Sequence, residues 1–304
     1  MRQLFNVAGH YFVLNMPDDN PMWREMKNYA PFRIANTTPD LFRQSIFTIN
    51  VCKDIPQGEP KYLGGSGMGN PDATFVKIYT HADGYLFEMR VNAMDRYPSF
   101  LWLNSEFTSG VLKDVSRVEY GRFAIDNAMM LAFALRTARE QTLEMHASVV
   151  VKNGYGYLFL GLSGAGKSTH SRMWLENIPG CKLLNDDNPI VRIVGKGDVM
   201  VYGSPWSGKT PCYINHNCKV GGFVRIVKYP SNEIGRMTLL EAYGTMFESC
   251  SGMRLDTQTN DSLHTTIEAV LGKIPFWKLR CLPDAGAAQI CYSSVKNGDT
   301  VTSK

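Results

Sequence analysis

The chain has 304 residues, 44% of them hydrophobic and 20% charged, and its net charge is only +4. That composition belongs to a soluble globular protein with room for one large or two ordinary domains. It excludes a nucleic-acid binder built on clustered Lys/Arg with interleaved aromatics, and no apolar run approaches the roughly 18–20 residues that cross a bilayer as a helix. The stretch 1–16 has one Lys/Arg residue, no long apolar region and no small-residue cleavage site, so it does not read as a signal peptide. The seven cysteines (52, 181, 212, 218, 250, 281 and 291) are scattered and odd in number. In a chain this long they read as reduced thiols of a cytoplasmic protein rather than a disulfide framework.

Residues 1 to about 120 read as a β-rich, mostly antiparallel N-terminal domain. The stretch 5–16 is apolar around Tyr11, Phe12 and Val13, and turn chemistry follows at Pro17-Asp18-Asp19-Asn20-Pro21. Residues 41–52 partly alternate through Phe42, Ile46, Phe47, Ile49 and Val51. The glycine-rich 64–71 reads as a loop, with a functional lid as the alternative. Two β-rich runs, 73–80 and 85–92, flank His81-Ala82-Asp83-Gly84 and predict a hairpin. Residues 100–107 and 111–118 predict another pair.

From about residue 121 the composition shifts. Residues 122–142, rich in Ala, Met and Leu, predict a helix with an apolar face, in which Met129-Met130 is core filler. A strand is predicted over 143–151, carrying His146, then a Lys152-Asn153-Gly154 turn and a second strand ending at Leu158-Phe159-Leu160. Gly161-Leu162-Ser163-Gly164-Ala165-Gly166-Lys167-Ser168 follows, and a helix opens with Thr169-His170.

That stretch matches G-x-x-x-x-G-K-[ST] at every fixed position, in the strand–loop–helix context a phosphate-binding loop requires. The glycines admit backbone torsions that aim successive N–H groups at an anion, and the helix adds its positive end. Gly161, Ser163, Gly164, Ala165, Gly166, Lys167, Ser168 and Thr169 are therefore the candidate nucleotide-binding residues. Lys167 is placed to reach the β- and γ-phosphates, and the Ser168 hydroxyl to ligate Mg²⁺.

After that helix, Pro179-Gly180 breaks the chain, and a short β-run over 181–187 ends in Asn185-Asp186-Asp187. The carboxylate pair lies about twenty residues past Lys167, where a phosphoryl-transfer site needs an acidic element. One carboxylate can serve Mg²⁺ and the other accept a proton from a hydroxyl; their order stays open. Further strands are predicted over 189–194, 199–202, 220–229 and 276–281. Helices are predicted over 238–251, over 261–273 with Asp261 as N-cap, and over 284–295. Trp206 and Lys209, in the Gly- and Pro-bounded loop 203–209, are candidate substrate contacts, Trp206 by stacking and Lys209 on a phosphate or carboxylate. Cys212, His216 and Cys218 make C-x-x-x-H-x-C, but no second ligand pair follows at structural-zinc spacing.

His146-Ala147-Ser148-Val149, the loop 161–169 and Leu184-Asn185-Asp186-Asp187 occur in the order and spacing of HPr kinase/phosphorylase. The chain resembles the catalytic domain of that family and its uncharacterised relatives over about residues 120–295. It is similar, more remotely, to ATP-dependent phosphoenolpyruvate carboxykinase. The resemblance implies an α/β catalytic domain over 121–304 (α+β overall with the N-terminal 1–120) whose phosphate loop sits between β-strands. It implies Lys167 and Ser168 on phosphates and Mg²⁺, the aspartate pair in metal binding and acid–base work, and His146 close to the phosphates. It also implies an oligomer, since these kinases assemble into rings. Two departures stand out. Ala147 follows the histidine where the family has glycine, and no Arg-Gly-Leu-Gly-like signature is visible. Both argue against phosphorylase activity and against HPr as the acceptor.

The expectation is an ATP- and Mg²⁺-dependent phosphotransferase acting on a hydroxyl of a protein or a small metabolite. Catalysis would rest on Asp186, Asp187, His146 and Lys167, the metal on Ser168, Asp186 and Asp187. No nucleic-acid or membrane partner is expected. The alternative is a regulatory module that binds nucleotide without turnover; carboxykinase-like or adenylylsulfate-kinase-like chemistry ranks below both.

Overall fold

A computed structural model describes residues 1–67, 74–92, 94–113, 118–208 and 210–296. The chain divides into two compact units, Met1–Thr137 and a second beginning at Ala138. Both mix sheet and helix, so the fold class is mixed α/β. Among the described residues no helix is long and apolar enough to cross a membrane.

The first unit runs β1 (Arg2–Val7), β2 (His10–Asn15), α1 (Met22–Glu25), a 3₁₀ turn (Lys27–Phe32), α2 (Pro39–Arg43), β3 (Ser45–Cys52), β4 (Lys61–Ser66), β5 (Phe75–His81), β6 (Gly84–Arg90), β7 (Ser99–Asn104), β8 (Ser109–Lys113) and α3 (Val118–Thr137). Its sheet has the order β1-β2-β3-β8-β7-β6-β5-β4. The β2–β3 and β3–β8 pairs are parallel and the others antiparallel. The apolar stretch 5–16 spans a hairpin rather than one strand, because Ala8 and Gly9 both take positive φ (52° and 80°) and reverse the chain in two residues. The boundary expected at 120/121 falls elsewhere. Helix α3 belongs to the upstream unit, since Phe133 meets the Phe12 ring edge-on at 5.9 Å and Phe12 stacks on Phe47 at 5.0 Å. Its apolar face is spent on that sheet. Of the loop expected over 64–71, residues 68–71 lie outside the described residues.

The second unit runs β9 (Thr142–Glu144), β10 (Ala147–Lys152), β11 (Tyr155–Leu160), α4 (Lys167–Asn177), β12 (Lys182–Asp187), β13 (Ile190–Val194), β14 (Asp198–Tyr202), β15 (Asn217–Lys228), β16 (Glu233–Arg236), α5 (Leu239–Ser249), α6 (Thr257–Leu271), β17 (Phe276–Cys281) and α7 (Ala285–Val295). The sheet order is β12-β10-β11-β15-β14-β13-β9, with β17 also on β15 and β16 on β17. Side chains alternate across it. Leu158, Leu160 and Phe223 face Ala242, Met246, Leu263 and Ile267 of α5 and α6. Phe159, Val224 and Leu279 face Trp174, Ala288 and Cys291 of α4 and α7. Helices on both faces bury the whole central strand, which explains why residues 156–160 are all buried.

Two expectations change here. The strand expected over 143–151 is two strands, because β9 pairs with β13 while β10 pairs with β11 and β12. Between them Met145 N–H turns to Pro189 O and His146 N–H to Ser249 O, at 3.0 and 2.7 Å. Helix α6 starts earlier than expected: its N-cap is Asp256, whose Oδ1 accepts from Thr259 N–H at 2.8 Å, and Asp261 lies inside the helix.

Candidate active site

Strand β11 delivers the chain to its carboxyl end, where Gly161, Gly164 and Gly166 take φ of 141°, 77° and 109°. Side chains other than glycine are strained at such φ. A Cβ on Gly161 would also sit 3.0 Å from both Ala165 Cβ and Ile226 O. Helix α4 then begins at Lys167 with Gly166 as N-cap and no side-chain cap hydrogen bond. Its first turn is thus left as a cradle of N–H groups at a helix N-terminus, the geometry an anion satisfies.

Lys167 folds back over this loop. Its Nζ donates to Gly161 O at 3.1 Å and, more weakly, to Leu162 O at 3.5 Å, and the residue is 8% exposed. Burial pulls its pKa down, and the charges of Asp187 and then Asp186 pull it back up. The ammonium therefore faces both carboxylates.

The register of β10 on β12 sets those carboxylates, with Ala147 opposite Asp187 and Ser148 opposite Asp186. His146 precedes Ala147, and its Nε2 lies 3.3 Å from Asp187 Oδ1. Burial, then the Lys167 charge, lowers the His146 pKa, and Asp187 opposes them. His146 is thus neutral at physiological pH. Asp187 is held at φ 136°, a backbone conformation that costs a non-glycine residue about 1–3 kcal/mol. Strain of that kind persists only where neighbours over-determine it. Here Ala147 and Ser207 bracket Asp187, and Asn188 Nδ2 donates to its Oδ2 at 3.2 Å.

His146, Ser163, Lys167, Ser168, Asp186 and Asp187 line one cavity of about 530 Å³. Gly164, Gly166 and Thr169 share its wall. Ala165 instead faces a second cavity of about 530 Å³, lined by Met173, Ile226, Tyr229, Leu282 and Pro283. Gly166 and Thr169 belong to both walls, so the two cavities meet at the start of α4.

The loop after β14 reaches the main chain of the aspartate pair: Gly208 N–H and Ser207 Oγ donate to the Asp186 carbonyl at 2.7 and 3.0 Å. Gly208 and Thr210 line the first cavity. Trp206 does not take the part expected of it. It is 3% exposed, and its carbonyl accepts from Asn185 Nδ2 at 3.1 Å and Ser204 Oγ at 2.9 Å. A ring so covered presents no face for stacking. Lys209 lies outside the described residues. Asn185 is buried and ties the turn, accepting from Asn188 N–H at 2.9 Å.

Among the described residues no group of three or more His, Cys, Asp and Glu side chains could hold a metal ion, Cys212, His216 and Cys218 included. The hard oxygen donors at the first cavity include the Asp186 and Asp187 carboxylates and the Ser168 hydroxyl, with the His146 imidazole beside them. That set fits Mg²⁺, which takes one or two carboxylates and completes its shell with phosphate and water.

Two features had no sequence signal. Glu144 is 1% exposed, its Oε2 has no hydrogen-bond partner among the described residues, and Ser251 Oγ lies 3.5 Å from its Oε1. Burial, then the Asp187 charge, holds its carboxyl well above the usual range. The second cavity is the other; its walls come from α4 and from the ends of β15 and β17, far apart in sequence.

Among known proteins, no family model matches the chain, and no curated protein does. Among solved structures the chain is similar to the HPr(Ser) kinase/phosphatase from Coxiella burnetii. The identity is 12%, the coverage 51% of this chain and 90% of that one, and the TM-score 0.31. A likeness at this level carries no argument about fold or function.

Proposed function

We propose that this chain is an ATP- and Mg²⁺-dependent phosphotransferase of the HPr-kinase-like kind, moving the γ-phosphoryl group to a hydroxyl of a protein or a small metabolite. The observation that carries this reading is that Lys167 and Ser168 of the phosphate loop share one cavity with Asp186, Asp187 and His146. A loop alone binds nucleotide. A loop facing a carboxylate pair can also activate an acceptor.

The roles follow from position. Backbone N–H groups of 161–168 and the start of α4 hold the triphosphate, and Lys167 neutralises the β- and γ-phosphates. Ser168 and Asp186 would hold the Mg²⁺, which when bound supplies charge neutralisation on the transferring group. Asp186 is buried and Asp187 half-buried, so Asp187 is the carboxylate an entering hydroxyl meets. Asp187 takes the hydroxyl proton, and the neutral His146 beside it orients the carboxylate. The second cavity, apolar and adjoining the first at Gly166 and Thr169, takes the nucleoside.

Incubation of the protein with ATP labelled on the γ-phosphate, Mg²⁺ and fractionated cell extract tests this. A labelled acceptor is expected, lost by several orders of magnitude in Asp187→Asn while ATP still binds. A wild-type protein that binds ATP and labels no fraction sinks the transferase reading and leaves a nucleotide-binding module.

A further inference from the structure

His170 lies one turn into α4, and its backbone N–H donates to Gly166 O at 2.8 Å. Its side chain is 3% exposed and meets the edge of the Phe159 ring, with centroids 4.6 Å apart. One ring nitrogen is committed: Nε2 accepts the indole N–H of Trp174 at 3.0 Å. An accepting nitrogen carries no proton, so in the neutral ring the proton is on Nδ1. Trp174 is fully buried and packed between Tyr157, Phe159 and Tyr292, so the pairing and the tautomer are fixed.

That leaves a donor. The Nδ1–H makes no hydrogen bond among the described residues, and His170 is one of the residues lining the second cavity. The cavity around it is apolar, formed by Met173, Ile226, Leu282 and Pro283 with the ring of Tyr229. Lys228 and Arg172 also reach it, but on flexible stems. Flat apolar walls with one fixed donor suit a flat heterocycle carrying an acceptor on its edge.

We infer that His170 is a specificity-determining residue of the nucleoside cleft, donating its Nδ1–H to a ring nitrogen of a purine whose phosphates lie in the loop 161–168. This rests on the nucleotide-binding reading above. The donor is preorganised by Trp174, so it adds selectivity without ordering a side chain on binding. A base without an acceptor at that point leaves the N–H unmet.

Calorimetric titration of the wild-type protein with ATP, inorganic tripolyphosphate and the 1-deaza, 3-deaza and 7-deaza analogues of ATP tests this. Each analogue replaces one ring nitrogen by C–H. One of the three is expected to bind roughly three- to tenfold more weakly than ATP, the range a single neutral hydrogen bond supplies. His170→Phe is expected to lose the same factor for ATP, to lose nothing further for that analogue, and to bind tripolyphosphate as the wild type does. Three analogues that all bind like ATP overturn the assignment, and so does a His170→Phe loss equal for ATP and tripolyphosphate. If His170→Phe does not fold, the analogue series on the wild type decides alone. Absence of binding by both ATP and tripolyphosphate would instead bring down the nucleotide reading itself.

Discussion

Acid should weaken this protein through His170 in a way that can be calculated. The ring is 3% exposed, and its Nε2 is the acceptor for the buried Trp174 indole. Protonation would bury a charge and break that bond together. Its pKa is lowered from 6.5 to about 4 in the folded chain. The gap is about 2.5 units, or about 3.4 kcal/mol at most, at 1.36 kcal/mol per unit. Because the folded pKa is depressed, the stabilisation is complete above the unfolded value. It is lost as pH falls towards the folded one, since the unfolded chain then takes up a proton that the folded chain refuses. Between pH 7 and pH 5 the loss is about 2 kcal/mol on these values. Urea unfolding at both pH values, on wild type and His170→Gln, measures it. Glutamine keeps an acceptor for Trp174 but does not titrate, and every other acid-sensitive group is common to both proteins. The wild type should lose about 2 kcal/mol more than the variant. Equal losses would refute a buried, neutral imidazole on α4.

Asp187→Gly should raise the melting temperature, by about 1 kcal/mol of stability, while abolishing transfer. Relief of the positive φ outweighs an exposed pair with His146 worth about 0–1 kcal/mol; a lower melting temperature in calorimetry would contradict the strain. Glu144→Gln should gain stability over the wild type as pH rises. The folded-state pKa of Glu144 is raised, so the stability tied to its neutral form is complete below the ordinary carboxylate range and lost as pH climbs through the folded value. Urea midpoints of the two proteins that keep a constant gap from pH 5 to pH 8 would refute a buried carboxyl with a raised pKa. Gly161→Ala should cost about 1–3 kcal/mol and weaken tripolyphosphate binding, because φ 141° and the 3.0 Å approach of Ile226 O leave no room for a methyl group. Unchanged binding and stability would show that the loop relaxes at no cost.

The strand, glycine turn and helix start of residues 158–169 were legible because their requirements are local and follow within one continuous stretch. Asp186-Asp187 was legible as a pair at a strand end, and the β10–β12 register then brought His146 to Asp187. Trp206 was misread for a physical reason. Gly203-Ser204-Pro205-Trp206-Ser207-Gly208 has the composition of an exposed loop. Yet Asn185 Nδ2 reaches both Ser204 Oγ and Trp206 O at 3.1 Å and draws the segment inwards. Only the fold tells a polar residue that anchors a loop from one that faces solvent. The same holds for Glu144 and His170. Each is a titratable residue in an ordinary strand or helix pattern, and only layers packed from distant sequence bury it and shift its titration. Helix α3 shows the converse, since its periodicity declared an apolar face but not which sheet it would cover.

The strained Asp187 and the inward loop are one construction. At φ 136° Asp187 turns away from the course of β12, and the loop backbone follows it, Ser207 bridging Asp187 and Gly208 N–H meeting Asp186 O at 2.7 Å. The approach is close enough that a Cβ on Gly208 would lie 3.2 Å from Asp187 Cβ and 3.3 Å from its Oδ2. A side chain there would press on the carboxylate or push the loop away. Gly203, at the other end, would place a Cβ 1.9 Å from Ile214 O. Both glycines are thus set by close approach rather than by flexibility. The loop works as a clamp that keeps Asp187 in a conformation it would not choose alone. Gly208→Ala should therefore act on Asp187 rather than on nucleotide binding. Transfer should fall while the affinity for tripolyphosphate, held by Lys167 and the start of α4, stays at the wild-type value. A parallel loss of both would mean that loop and phosphate cradle are one rigid body and that the clamp has no separate role.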